Sequence, residues 1–429
     1  MRKLLQKSGN FITENLFTNK STSQTIMKNS FWLLLAEGTN KGILFLVTIL
    51  IARNFSLEEY GIFGYVFSIM TLIAMIADFG LTNITIRELA KNRAGAKKYF
   101  EDAISVKLLL TLIAFIFMLT AAFFLNPNIR TLAILAGAAI LLEGMTDYLR
   151  TSFRVSEHTQ FEVAIKGTAA VILLALVVSG IVLRFSLTGI LLGYIVAHLF
   201  GLLLSLRLVE QKVTFSINTS FVRHLIGEAW PLFLGLLCTA AYGQIDLILI
   251  KAYRGYAEVG LYQAAYRLLF GFQLLKVVHM AMFPRLASFY AEGNNVGYRK
   301  LMRTSIVLSL IALIPVGIII TFFPADIIRL FFGQHYVSAS VALPLLIWSG
   351  ILSFIAGFFT YTLIISGHQK GWLTLEFLVL VLLIIIEVGL IPRIGFCGAA
   401  IATFAGEAIF LVLIVAGVYS NRKLRVIFF

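Results

Sequence analysis

The chain has 429 residues, 59% hydrophobic and 13% charged, with a mean hydropathy of +0.93 and a net charge of +14. Ordinary soluble domains carry about 25% charged residues, so a soluble globule is excluded; only a lipid environment covers that much apolar surface. The positive charge is not gathered on one soluble element, as a nucleic-acid site requires, and no nucleic-acid partner is expected.

The opening segment 1–28 lacks the apolar core of a cleavable signal peptide. Its spaced Leu4, Leu5, Phe11, Ile12, Leu16 and Phe17 among Arg2, Lys3, Lys7 and Lys20 fit a short interfacial helix or a basic leader. Apolar windows then predict helices near 30–52, 60–80, 104–125, 129–149, 161–183 and 188–206. After a polar linker, 211–224, they resume near 225–250, 258–283, 303–323, 340–366, 372–391 and 396–419, and a short tail, 420–429, follows. A hydrocarbon core of about 30 Å takes roughly 20 helical residues to cross, and each window meets that length. These runs are apolar throughout, unlike the alternating strands of about ten residues in a membrane barrel. Prolines 231, 315 and 344 fall in or near spans, where bends are expected.

Lys and Arg gather on alternate connections. One side holds Lys7 and Lys28, then Arg87 to Lys107, Arg150 and Arg154, Arg207 to Arg223, Arg285 to Arg303, Lys370, and Arg422 to Arg425. The opposite side holds isolated cations such as Arg53, Arg130, Arg184, Arg329 and Arg393. By the positive-inside rule, this predicts twelve spans in the cell membrane with both termini cytoplasmic. A missed or extra helix would invert the pattern downstream, and no inversion occurs.

The segments LIARNFSLEEYGIFGY (50–65) and LIKAYRGYAEVGLYQA (249–264) align without a gap, at an offset of 199 residues (50 against 249). Glu59 meets Glu258 and Gly61 meets Gly260. An even number of spans separates the copies, so both halves enter the membrane in the same sense, a known transporter plan with the binding site between lobes. The expected fold is therefore all-α: a polytopic membrane protein of about 12 transmembrane helices in two six-helix lobes around a central cavity. The N-lobe is 29–210 and the C-lobe 225–419.

Charges inside spans are costly and mark cavities or partners. Lys41, Arg267, Lys276 and Asp246 are the candidate substrate-contacting residues, because deep cations need something anionic and a guanidinium fork suits a diphosphate. Glu37 stands one helical turn before Lys41, so a self-neutralising pair is equally expected there. Glu37, Asp78, Glu143, Asp147, Glu376, Glu387 and Glu407 are candidates for ion coupling, with helix-packing partners for the cations as the equal alternative. Cys238 and Cys397 lie in apolar segments, as packing residues. No GxxxxGK[ST], HExxH or GxSxG motif is present. ATP hydrolysis and soluble-type catalysis are thus not expected, and transport would draw on a H⁺ or Na⁺ gradient, the membrane potential or the substrate gradient. No cofactor or metal is expected.

The block NSFWLLLAEGTNKGILFLVTILIARNFSLEEYGIFGYVFSIMTLIAMIADFGLTNITIRELAKN (29–92) resembles the polysaccharide-biosynthesis flippases. So do AYRLLFGF (265–272), FPRLA (283–287), FFGQHYVSASVALPLLIWS (331–349) and the SGHQK turn (366–370). These flippases, which include O-antigen and teichoic-acid lipid exporters, belong with the multidrug/oligosaccharidyl-lipid/polysaccharide exporters. The resemblance implies a partly cationic cavity and a polyprenyl-diphosphate carrier bearing a short oligosaccharide, moved by rocking of the lobes. It also implies membrane lipid and a polysaccharide polymerase as partners and a monomeric unit. The competing expectation is a cation-coupled exporter of small amphipathic compounds.

Overall fold

The structure is a computed structural model and describes residues 22–91, 96–156, 158–209 and 219–420. Most of the opening segment, the linker and the tail lie outside these. Among the described residues the secondary structure is helical. The first half holds α1 (Thr22–Asn54), α2 (Leu57–Asp78), α3 (Leu81–Lys91), α4 (Ala96–Phe124), α5 (Pro127–Val155), α6 (Thr159–Val182) and α7 (Leu187–Leu208). The second half holds α8 (Thr219–Tyr242), α9 (Ile245–Arg254), α10 (Tyr256–Leu268), α11 (Phe270–Ala291), α12 (Asn295–Phe322) and α13 (Pro324–Phe332). A 3₁₀ turn (Gln334–Val341), α14 (Leu343–Ile365), α15 (Gln369–Ile394) and α16 (Phe396–Ser420) complete it.

Among the described residues, ten segments are long and apolar enough to cross a membrane; α1 and the pair α10–α11 complete about twelve crossings in two lobes. The end of the bundle where α1 enters is called the near end below, and the end of its first turn, at Phe55, the far end.

Local chemistry sets the boundaries. Ser56 caps α2, its hydroxyl accepting from Glu59 N–H while the Glu59 carboxylate accepts from Ser56 N–H at 2.9 Å, a reciprocal capping box. Pro127 and Pro324 open α5 and α13 at the first turn, where a missing N–H costs nothing. Pro344 does the same for α14, so the bend expected there is a helix start instead, whereas Pro231 and Pro315 lie within α8 and α12. The chain breaks between α2 and α3 through Phe79 and Gly80, both left-handed at φ 46° and 77°.

Two spans expected as continuous are interrupted. The helix expected near 225–250 divides at Gly243 and Gln244 into α8 and α9, and the one near 258–283 divides at Leu269 into α10 and α11. Broken helices leave backbone groups unpaired and persist at membrane depth only where protein or a cavity receives them. The connection 324–339, expected as a loop, holds α13 and most of the 3₁₀ turn.

The internal repeat has a physical counterpart. Helices α2 and α10 cross so closely that a Cβ on Gly61 would strike the Tyr256 carbonyl oxygen, and one on Gly260 would strike that of Leu57. Leu57 and Tyr256 are themselves a pair at the 199-residue offset (57 against 256), so the two contacts are reciprocal and a pseudo-twofold passes between them. Gly64 faces the Gln263 side chain, again its own repeat mate. Around this crossing, the Arg53 Nε donates to the Phe331 carbonyl at 2.8 Å, and Tyr60 meets Tyr336 edge-on at 5.7 Å. The lobes thus touch at the far end. Nearer the other end, α8 leans on the first lobe: Phe233 stacks on Phe79 at 4.3 Å, and Glu228 pairs with Arg87 at 2.6 Å.

Candidate transport site and its charged surroundings

Most first-lobe charges form closed networks. Lys166 of α6 pairs with Glu37 of α1 and lies 3.4 Å from Glu162. Glu162 accepts two hydrogen bonds from Arg154, at 2.9 and 2.6 Å. Arg154 approaches Asp147 at 3.8 Å, and Asp147 pairs with Arg150. Three cations and three carboxylates alternate, so this ladder of α1, α5 and α6 is electrically neutral. Glu37 therefore pairs with Lys166 rather than with Lys41, in correction of the expected intrahelical pair. The Lys166 ammonium, only 8% exposed, needs a counter-ion more than half-buried Lys41 does. Asp78 is likewise engaged, by Lys107 at 3.3 Å and by the Thr82 hydroxyl. Glu143 is different: its side chain is 46% exposed, and His198 lies 3.9 Å from it. Both border a cleft of about 20 Å³ with Asn40, Arg150 and Lys166, room for about one water.

Two of the candidate cations are outside such networks. Half-buried Lys41 of α1 and Arg267 of α10 make no ion pair with any described carboxylate. Arg267 lies within electrostatic reach of Tyr60 and Tyr194 in the first lobe and of Tyr266 beside it, so its charge sits at the junction of the lobes. The Tyr60 hydroxyl is buried, and the Arg267 guanidinium is the charged donor group that faces it. The side chain of Lys276 lies outside the described set.

Asp246 does not join Arg267. It opens α9 inside the second lobe, 4% exposed, and its Oδ2 accepts from the Tyr262 hydroxyl and, at 3.3 Å, from Thr403. Fully buried Glu387 of α15 adjoins it. Asp246 Oδ1 and both Glu387 oxygens find no donor among the described residues. Two carboxyl groups in such contact cannot both be ionised without a proton or cation between them. Glu376 and Glu407 line a separate second-lobe cavity of about 520 Å³, where Thr239 donates to Glu376 Oε1 at 2.7 Å. The cavity is a feature that sequence reasoning misses, because its walls come from six helices. Among the described residues no cluster of three or more metal-ligating side chains occurs.

Two lobes of membrane-crossing helices, related by a repeat and carrying at their junction Arg267, which has no carboxylate partner among the described residues, define a multi-pass membrane transporter fold. The family model described as polysaccharide biosynthesis protein matches residues 26–290, and the MatE model matches 231–388. The chain belongs to the polysaccharide biosynthesis protein family. It is 23% identical to a probable low-salt glycan biosynthesis flippase, Agl15, of Haloferax volcanii over 90% of this chain and 82% of that protein. It is 26% identical to a putative O-antigen transporter of Shigella dysenteriae over 61% of this chain and 67% of that one. Its fold is similar to that of the lipid II flippase MurJ in an inward closed conformation, with a TM-score of 0.73 at 15% identity over 90% of this chain and 87% of that one.

Proposed function

We propose that the protein is a flippase that moves a polyprenyl-diphosphate-linked oligosaccharide across the cell membrane by alternating access, for cell-surface polysaccharide assembly. Both termini are cytoplasmic in this reading, so the near end faces the cytoplasm and the lobes, 29–210 and 225–419, are joined on the outer side. The observation that carries it is Arg267, a half-buried guanidinium at the lobe junction with no carboxylate partner among the described residues. A diphosphate supplies the missing anion through two-pronged, charge-assisted hydrogen bonds. Lys41 is the second cation available to it, and membrane lipid and a polysaccharide polymerase are the partners the role calls for. The chain works as a transporter and not as an enzyme. The MatE match favours a second reading, a cation-coupled exporter of small amphipathic compounds; it covers less of the chain, and the named relatives handle glycans.

Removing a hydrogen bond to a charged group costs roughly 1.5–3 kcal/mol, so Arg267→Ala is expected to slow flipping of the lipid-linked oligosaccharide in proteoliposomes by about ten- to a hundredfold. Membrane insertion stays unchanged. Wild-type rates in the variant would remove Arg267 from the site, and export of drug cations without any lipid movement would replace the flippase reading by the exporter.

The carboxyl pair Asp246 and Glu387 is the coupling site in this mechanism, holding a H⁺ or Na⁺ in one state of the lobes and releasing it in the other. The paired carboxylates Glu37, Asp78 and Asp147 are then structural. Glu387→Gln is expected to abolish the acceleration of flipping by an imposed H⁺ or Na⁺ gradient while leaving the gradient-free rate measurable. Retained acceleration in the same vesicles would place coupling elsewhere.

A further inference from the structure

The seam between the lobes carries polar groups that no neighbour receives. Gln263 of α10 is 1% exposed, and neither its amide nitrogen nor its amide oxygen has a hydrogen-bond partner among the described residues. The same holds for the buried hydroxyl of Tyr336, on the 3₁₀ turn that meets Tyr60 of α2 edge-on. Both side chains belong to the second lobe, and both pack against α2 of the first.

The sequence explains why the amide is stranded. It lies in the slot left by Gly64, and α2 there offers only helical backbone, whose N–H and C=O groups are used within the helix. The Gly64 carbonyl also accepts the Ser68 hydroxyl at 2.9 Å, which takes its second lone pair. The repeat is broken at this point. Gly61 is matched by Gly260, but the mate of Gly64 is Gln263 (64 against 263), so a polar side chain stands where strict symmetry would put a hydrogen atom.

A buried donor or acceptor left unpaired carries the whole desolvation cost of that group. Gln263 and Tyr336 therefore hold the closed seam below the stability that apolar side chains of the same shape would give it. The cost ends once the lobes turn and α2 and α10 part here, because water or cargo then reaches the amide. A group that penalises one state alone shifts the population towards the other.

We infer that Gln263, assisted by Tyr336, is a release device built into the seam: its stranded amide keeps the far-end-closed state shallow enough for the lobes to open and let the cargo out. The position suits the task. Gln263 stands one helical turn before Arg267 on the same face of α10, on the far-end side of the group assigned to the diphosphate. The inference rests on the alternating access of the flippase reading and adds what releases its closed state.

The test uses full-length protein in liposomes, with spin labels on the exposed repeat mates Asn54 and Tyr253 (54 against 253) and with Cys238 and Cys397 replaced by Ser. Gln263→Met removes the amide and Tyr336→Phe the hydroxyl. Both variants are expected to unfold at or above the wild-type midpoint while opening less often at the far end. The open population and the flipping rate fall by about tenfold for Gln263→Met, equivalent to about 1.4 kcal/mol, and by about threefold for Tyr336→Phe. Stability and transport thus move in opposite directions, whereas a packing role lowers both. If both variants keep the wild-type open population and flipping rate, or if both lower the midpoint, the release device is overturned, and flipping by the wild type leaves the flippase reading standing. If the labels shift as expected but the wild type moves no lipid-linked oligosaccharide, the flippase reading falls and the device belongs to a transporter of other cargo. Should Gln263→Met fail to insert, Tyr336→Phe decides alone, since it removes a single hydroxyl.

Discussion

Replacing Glu162 by Ala lowers the unfolding free energy by about 3–5 kcal/mol, the expected cost of breaking a buried ion pair from one side. The figure follows from what Glu162 holds. It is fully buried and accepts both hydrogen bonds of the Arg154 guanidinium, with Lys166 3.4 Å away. Its loss leaves the ladder with three cations and two carboxylates, an unbalanced charge among α1, α5 and α6. Glu37→Ala removes a carboxylate from the same ladder, but at a side chain that is 35% exposed, where solvent and salt replace much of the interaction, so its cost is smaller. Denaturant titration of the detergent-solubilised variants measures both. A Glu162→Ala midpoint equal to that of wild type, or a larger loss in Glu37→Ala, would contradict the assignment of the ladder as a structural element.

That ladder also marks where sequence reading stops. Helix number, the lobes and the repeat were legible because they rest on local properties: apolar length, charge bias between spans, and a shared segment at 50–65 and 249–264. Charge pairing is not local. Glu37 has Lys41 at the right helical spacing, yet pairs with Lys166, 129 residues away, because α1 packs on α6 and no pattern within either helix announces that neighbour. The candidate list of Glu37, Asp78, Glu143, Asp147, Glu376, Glu387 and Glu407 therefore names carboxylates inside spans without separating those with a cation from those facing another carboxyl. Asp246 is a substrate candidate in the sequence only as a charge inside a span; its neighbours Tyr262, Thr403 and Glu387 come from three other helices. The breaks at Gly243 and Leu269 are hidden for a related reason: each falls inside a window, near 225–250 and near 258–283, whose length fits an unbroken crossing.

Gly61→Val and Gly260→Val are expected to reduce flipping by at least about tenfold and to destabilise the fold by about 1–3 kcal/mol or more, the usual cost of overpacking. Small residues let membrane helices approach closely, and at these two positions the opposing atom is a backbone carbonyl oxygen, of Tyr256 and Leu57 respectively. A carbonyl cannot rotate aside as a side chain does, so the added atoms must push α2 and α10 apart. That separation also pulls on the neighbouring contacts of the same seam, Tyr60 with Tyr336 and Arg53 with the Phe331 carbonyl. Because the two glycines are repeat mates, their effects should be similar in size. Gly64→Ala should be milder, since only the Gln263 side chain stands in its way, and Gly42→Ala should be harmless or slightly stabilising, because nothing lies within 4 Å of its added Cβ and alanine favours helix. Flipping rates and unfolding midpoints for the four variants give an order, Gly61 and Gly260 first, then Gly64, then Gly42. If Gly61→Val and Gly260→Val fall with Gly42→Ala at wild-type values, the reciprocal crossing is not the contact about which the lobes turn. If they lose stability yet flip normally, it is a seam and not a pivot.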